Sequence, residues 1–159
     1  MEIRRVRLSD VEVEPLLVGL SDEYDARYGE NIEMTRASED DFDPPTGLFL
    51  VLMDGPITAA GGGFRRHDLR TCEVKRMWTS PQYRRRGLAT RVLRSLEEAA
   101  WETGYDHVIL ETGPRQPEAE ALYRARGYRR MDVYGHYPDA SAFSLDLPGR
   151  WLPDTWDAR

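Results

Sequence analysis

The stretch EVKRMWTSPQYRRRGLATRVL, residues 73–93, holds the densest group of residues suited to ligand chemistry. Arg84, Arg85 and Arg86 place three permanent positive charges directly before Gly87, and Leu88, Ala89, Val92, Leu93, Leu96, Ala99 and Ala100 then recur at helical spacing. A helix N-terminus presents unsatisfied N–H donors and a partial positive charge, and a glycine beside it lets a ligand come close to the main chain. That arrangement suits a phosphate group; the alternative is an exposed basic turn that only begins a helix. Cys72 is the only cysteine, which excludes an intramolecular disulfide and a cysteine-rich zinc site. It has no adjacent histidine to activate it as a nucleophile. His67, His107 and His136 are scattered without metal-ligand spacing and read as loop or packing residues, so no metal is expected.

These residues need elements to hold them. Met1 to Leu8 alternates Ile3, Val6 and Leu8 with arginines, as a strand does. Leu16, Leu17, Leu20, Tyr24 and Tyr28 recur at helical spacing up to Gly29, and Pro15 suits the first turn of that helix. Asn31 to Thr46 is polar and acidic and reads as a loop or a short second helix. Leu48–Met53 and Ile57–Phe64 pair through a turn at Asp54-Gly55. No helix follows Gly61-Gly62-Gly63, so the glycines mark a close backbone approach or a bulge rather than a phosphate loop. Thr71–Thr79 is a further strand, and the helix from Leu88 ends at Gly104. His107–Leu110 is extended, Pro117 opens a helix carrying Ala119, Leu122 and Tyr123, and Gly127 closes it. Strands at Tyr128–Val133 and Ala142–Leu147 flank the turn-rich YGHYPDAS, giving the order β-α-(α)-β-β-β-α-β-α-β-β.

With Arg84, Gly87 and Ala89 at the defining positions, RRRGLA resembles the Q/R-x-x-G-x-G/A pyrophosphate signature of the GNAT superfamily of N-acetyltransferases. The preceding EVKRMWTSP, the later ETGPRQPEAEALYRARGY and the element order are similar to bacterial members, and the resemblance spans roughly Gly47 to Leu147. It implies an α+β fold over one domain, residues 1–159: a mixed, mostly antiparallel sheet of about seven strands, splayed between the fourth and fifth, with about four helices. It also implies acetyl-CoA as acyl donor, with Met77, Trp78 and Thr79 along the pantetheine arm. Arg84, Arg85, Arg86, Gly87, Leu88, Ala89 and Thr90 would then surround the pyrophosphate. Gln116 stands where the family usually has asparagine, seven residues before its helix tyrosine, and its longer amide is assigned to the pantetheine as well.

Acetyl transfer to an amine needs a base, because an alkyl ammonium with a pKa of about 10.4 is almost entirely protonated at neutral pH. By position, Glu73 matches the glutamate base of the superfamily's histone acetyltransferases; an acid there takes the proton or binds the ammonium. Tyr123, in ALYRARGY, matches the tyrosine that protonates the departing thiolate, and the Met77 N–H matches the oxyanion donor. The plain alternatives are a paired strand glutamate and a core aromatic. The implied activity is direct transfer in a ternary complex; a catalytically silent coenzyme A-binding module is the other class of reading.

The formal charge of −6 disfavours nucleic acid, and its distribution says more than its total. Ser9 to Asp43 carries twelve acids against Arg27 and Arg36, a front segment that attracts a cationic amine or a protein amino group as acceptor. No uninterrupted apolar run suits a signal peptide or a membrane span, so a cytoplasmic protein with no membrane partner is expected. Association as a homodimer is left open.

Overall fold

In the computed structural model, which describes residues 1–28, 39–113, 116–135 and 139–148, the apolar alternation of the chain resolves into one seven-stranded sheet of order β1-β2-β3-β4-β5-β7-β6. Its strands are β1 (Glu2–Val6), β2 (Leu48–Asp54), β3 (Ile57–Arg66), β4 (Thr71–Thr79), β5 (His107–Thr112), β6 (Arg129–Met131) and β7 (Ser141–Asp146). Every neighbouring pair is antiparallel except β4 and β5, which run parallel. The helices are α1 (Glu14–Tyr28), α2 (Leu88–Thr103) and α3 (Pro117–Ala125).

Successive side chains of a strand point to opposite faces, and β2 is apolar at six successive positions because both of its faces are covered. Leu48, Leu50 and Leu52 join Phe64, Cys72 and Val74 under Val92, Leu93 and Leu96 of α2, and Tyr123 of α3 closes the same layer. Phe49, Val51 and Met53 face the other way, under Leu16 and Leu20 of α1, with Phe42 and Trp78 beside them. Each fully buried leucine in these layers stabilises the fold by about 1.5–3 kcal/mol.

The architecture matches the expected fold class, with one difference in helix number. Three α-helices are present among the described residues, and what is seen of the acidic connection is a single 3-10 turn, Glu39–Phe42. The turn offers only Phe42 to the core, too little apolar surface for an amphipathic helix. The front of that stretch, residues 31–38, lies outside the described residues, as do residues 29–30 and His136. Among the described residues no helix is long and apolar enough to cross a membrane.

Candidate active site

The site begins with a misfit between β3 and β4. Gly61 pairs with Trp78 and Gly63 with Lys75, so Gly62 alone faces both Arg76 and Met77. Such a bulge needs an unusual backbone, and Arg76 supplies it at φ 59°, in the left-handed region where a side chain costs about 1–2 kcal/mol. Gly62 gives the Met77 side chain room at the bulge, since a Cβ there would land on the Met77 sulfur. Neighbouring Gly61 and Gly63 are equally crowded, so the glycine run is both a close approach and a bulge, as the sequence indicates.

On its other edge β4 pairs with β5 only through Thr71, Cys72 and Glu73. Beyond the Glu73–Ile109 pair the two strands part, and among the described residues the β5-facing edge of β4 from Val74 to Thr79 has no ladder partner. This is the splay expected between the fourth and fifth strands. An extended ligand can hydrogen-bond to such an edge as a strand would. The indole of Trp78 does not face the gap: it is buried against Gly19 of α1, so only its main chain is placed to meet a ligand. Met77 turns instead toward the α2 layer and is half-buried there.

From the end of β4 the chain makes a 3-10 turn at Pro81–Tyr83 and reaches Gly87, the N-cap of α2, which takes a φ of 74°. No side chain caps this helix, and a Cβ built on Gly87 would meet nothing within 4 Å. Open space over uncapped N–H donors can take an anion such as a phosphate. The arginines divide. Arg84 pairs with Glu23 of α1 at 3.1 Å and reaches the Thr79 carbonyl, while the Arg86 guanidinium lies over the Tyr83 ring. Arg85, exposed, holds φ at 65°. Ala89 and Thr90 follow at the surface of the first turn, whereas the Leu88 side chain is buried and can offer only its N–H.

Glu73 and Tyr123 lie on opposite faces of the sheet. The Glu73 carboxylate, 4% exposed, points away from α2, where Arg65 of β3, its register partner, donates to Oε1 at 3.0 Å. Tyr134 donates to Oε2 at 2.7 Å, and Lys75 Nζ is 3.8 Å from the same oxygen. Tyr123 is 5% exposed on the α2 side, its ring tilted against Tyr128 and Phe143 at 5.9 Å. Gln116 immediately precedes α3, and its side-chain oxygen accepts from the Thr112 hydroxyl at the end of β5 at 3.0 Å. Burial raises the Cys72 thiol well above its ordinary pKa, which keeps it an inert core residue. No group of three or more metal-ligating side chains is present among the described residues.

Three residues that sequence reasoning did not single out join this site. Tyr134 binds Glu73, Arg65 links Glu73 to Asp41 at 3.7 Å, and Glu111 of β5 lies under Gly135, where a Cβ would strike its carboxylate. Strand alternation could have found Arg65 and Glu111, but nothing local marks Tyr134.

The sequence profile of the acetyltransferase (GNAT) family matches residues 14–128. The chain belongs to that family. Its relatives include the uncharacterised N-acetyltransferase YsnE of Bacillus subtilis, 32% identical over 95 residues, which are 58% of this chain and 63% of YsnE. The human N-acetylaspartate synthetase is 30% identical over 95 residues, 59% of this chain and 32% of that protein. Like these, the IAA acetyltransferase of Azospirillum brasilense is matched over less than two thirds of its length, 50%, at 35% identity over 48% of this chain. Solved structures share the fold over nearly the whole chain. An acetyltransferase from Streptococcus agalactiae superposes with a TM-score of 0.77 at 16% identity, covering 91% of this chain and 97% of its own. The PaiA N-acetyltransferase of Thermoplasma acidophilum, solved in complex with coenzyme A, does so at 0.72 and 15% identity, covering 92% and 99%. This family member thus carries its glycine turn and its strand gap in a scaffold that binds coenzyme A in a neighbour.

Proposed function

We propose that the protein is an acetyl-CoA-dependent N-acetyltransferase that moves an acetyl group onto a primary amine by direct transfer in a ternary complex. The observation that carries this reading is the continuous path from the open N-terminus of α2 along the unpaired edge of β4 to Glu73, with Tyr123 on the opposite face. The diphosphate is held at Gly87 and the main chain of Met77 to Thr79 aligns the pantetheine. The Met77 N–H meets the negative charge that develops on the acyl oxygen. Glu73 takes a proton from the ammonium, directly or through water; the neutral nitrogen then forms a bond to the acyl carbon as the carbon–sulfur bond breaks. The Tyr123 hydroxyl gives its proton to the departing thiolate, and the second proton that the nitrogen sheds as it becomes an amide passes through water to restore the phenol, while Glu73 releases the first to solvent.

The acceptor is a small cationic amine or a protein amino group. The acids of the front segment support this, although Asp43 and Glu23 are already paired with Arg7 and Arg84, and Asp41 lies 3.7 Å from Arg65. Glu30 and Glu33 lie outside the described residues. One observation favours a second reading: both oxygens of Glu73 are engaged by Arg65 and Tyr134, the state expected of a structural carboxylate in a silent coenzyme A-binding module.

Thiol release from acetyl-CoA, followed against polyamines, aminoglycosides, lysine-rich peptides and anionic amino acids, separates the two. Transfer to cationic amines is expected, with Glu73→Gln slowed at neutral pH and partly rescued at higher pH. Tight coenzyme A binding with no transfer to any amine would leave the binding module.

A further inference from the structure

Tyr134 follows β6 and belongs to no strand or helix, yet its side chain is the most directly engaged with the candidate base. Its hydroxyl donates to Glu73 Oε2 at 2.7 Å, and its ring meets His67, from the β3–β4 turn, edge-on at 5.5 Å. Gly135, the next residue, passes against the Glu111 carboxylate with no room for a Cβ. The phenol therefore lies on Glu73 of β4, near enough to Glu111 of β5 to feel its charge, beside the last pair before the strands part. Arg65 and Lys75 face Glu73 from β3 and β4, and Asp41 faces Arg65. Burial first, and then the negative charge of Glu73 and its hydrogen bond, hold the phenol far above the usual tyrosine range, so it remains a donor wherever the enzyme works.

On Glu73 Oε2, where Lys75 Nζ stands 3.8 Å off, the phenol is the one hydrogen-bonded donor and it is neutral, so it holds that oxygen less strongly than an ammonium in hydrogen-bond contact, with three N–H donors and a full positive charge, would. We propose that Tyr134 determines acceptor specificity: with no acceptor bound, its hydroxyl occupies the place on Glu73 Oε2 that an N–H of a protonated primary amine takes. This inference rests on the acetyltransferase reading and deepens it. The acceptor it selects is an unbranched primary alkylammonium, slim enough to replace a phenol hydroxyl, and neutral alcohols or carboxylates of equal length are rejected. Tyr134 is a positioning residue: it touches the base, and the acceptor must displace it.

The test combines turnover with a measurement that needs none. Protein carrying 3-fluorotyrosine at position 134 alone is titrated with n-butylammonium, n-butanol and butyrate in the presence of coenzyme A, and its fluorine resonance is followed by NMR. A saturable shift with butylammonium only is expected. In parallel, Tyr134→Phe, which keeps the ring, should lower the acceptor KM for n-butylamine roughly tenfold, as expected for removing a competing hydrogen bond to a charged group, and leave the KM for acetyl-CoA unchanged. A resonance indifferent to butylammonium overturns the proposal, as does an unchanged acceptor KM in the variant. If the variant does not fold, the labelled wild-type protein decides alone. Failure of the wild-type protein to acetylate any amine would instead overturn the proposed activity, and the butylammonium shift would still judge Tyr134.

Discussion

At the N-terminus of α2, Gly87 holds a φ of 74° with nothing within 4 Å of the position its Cβ would take. Gly87→Val is expected to abolish coenzyme A binding in calorimetry, because the new side chain fills the space over the helix donors. The fold should survive with about 1–2 kcal/mol of strain, a few degrees in Tm. Wild-type affinity in that variant would remove the diphosphate site from this turn. Tyr123 differs in kind, since its ring is core packing that phenylalanine preserves. Tyr123→Phe should therefore lower kcat by roughly 10²-fold with stability and acetyl-CoA affinity retained, and an unchanged kcat would reduce the residue to packing.

At the scale of elements, α2 and α3 are joined by a buried charge cluster rather than by apolar contacts alone. Glu97 of α2 is fully buried and accepts from Arg126 at 2.5 Å and from the Tyr128 hydroxyl at 3.0 Å, both just beyond α3. Breaking one partner of a buried pair leaves the other uncompensated, at a cost of about 3–5 kcal/mol. Guanidinium unfolding of Glu97→Ala should show that loss, with turnover falling too because α3 carries Tyr123. Glu97→Leu combined with Arg126→Leu should be far milder. Equal stability of single and double variants would mean that the cluster does not tie the helices.

Over the whole molecule, Glu73 and Tyr123 lie on opposite faces of the sheet, and the proposed reaction would place acceptor chemistry on one and thiol chemistry on the other, with charge as a further distinction. For cationic acceptors kcat/KM should fall as salt rises from low to about 0.5 M, where the Debye length shrinks to a few ångströms. No salt dependence would take the acidic front segment out of the argument. Alkaline pH tests the fold itself. Tyr128 and Tyr134 have folded pKa values raised by burial and by nearby carboxylates, whereas the unfolded chain releases those protons near pH 10. Stability is thus unaffected below about pH 10 and falls as pH rises above it, by about 1.4 kcal/mol per pH unit for each phenol. Urea titrations at pH 8.5 and 11 should show that decline, shallower in Tyr134→Phe; identical slopes for variant and wild type would contradict the raised value.

Much of this molecule is written in short-range pattern. The spacing from Leu88 to Ala100, the glycines at positions 87 and 104 and the hairpin at Asp54-Gly55 are each decided within a few residues, so the sequence alone located α2, the glycine turn that opens it and most strands. The family signature supplied the strand gap and the candidate roles of Glu73 and Tyr123 by resemblance. Contacts between distant segments were out of reach. Arg76 takes its positive φ at a bulge that faces Gly62 on another strand, and Trp78 turns to the α1 core because that bulge shifts the alternation behind it. Tyr134 meets Glu73 across 61 residues from a segment with no periodicity. Local sequence sets propensity and period; which side chains share the open end of the gap depends on strand register and on the packing of connections, and those exist only once the sheet has assembled.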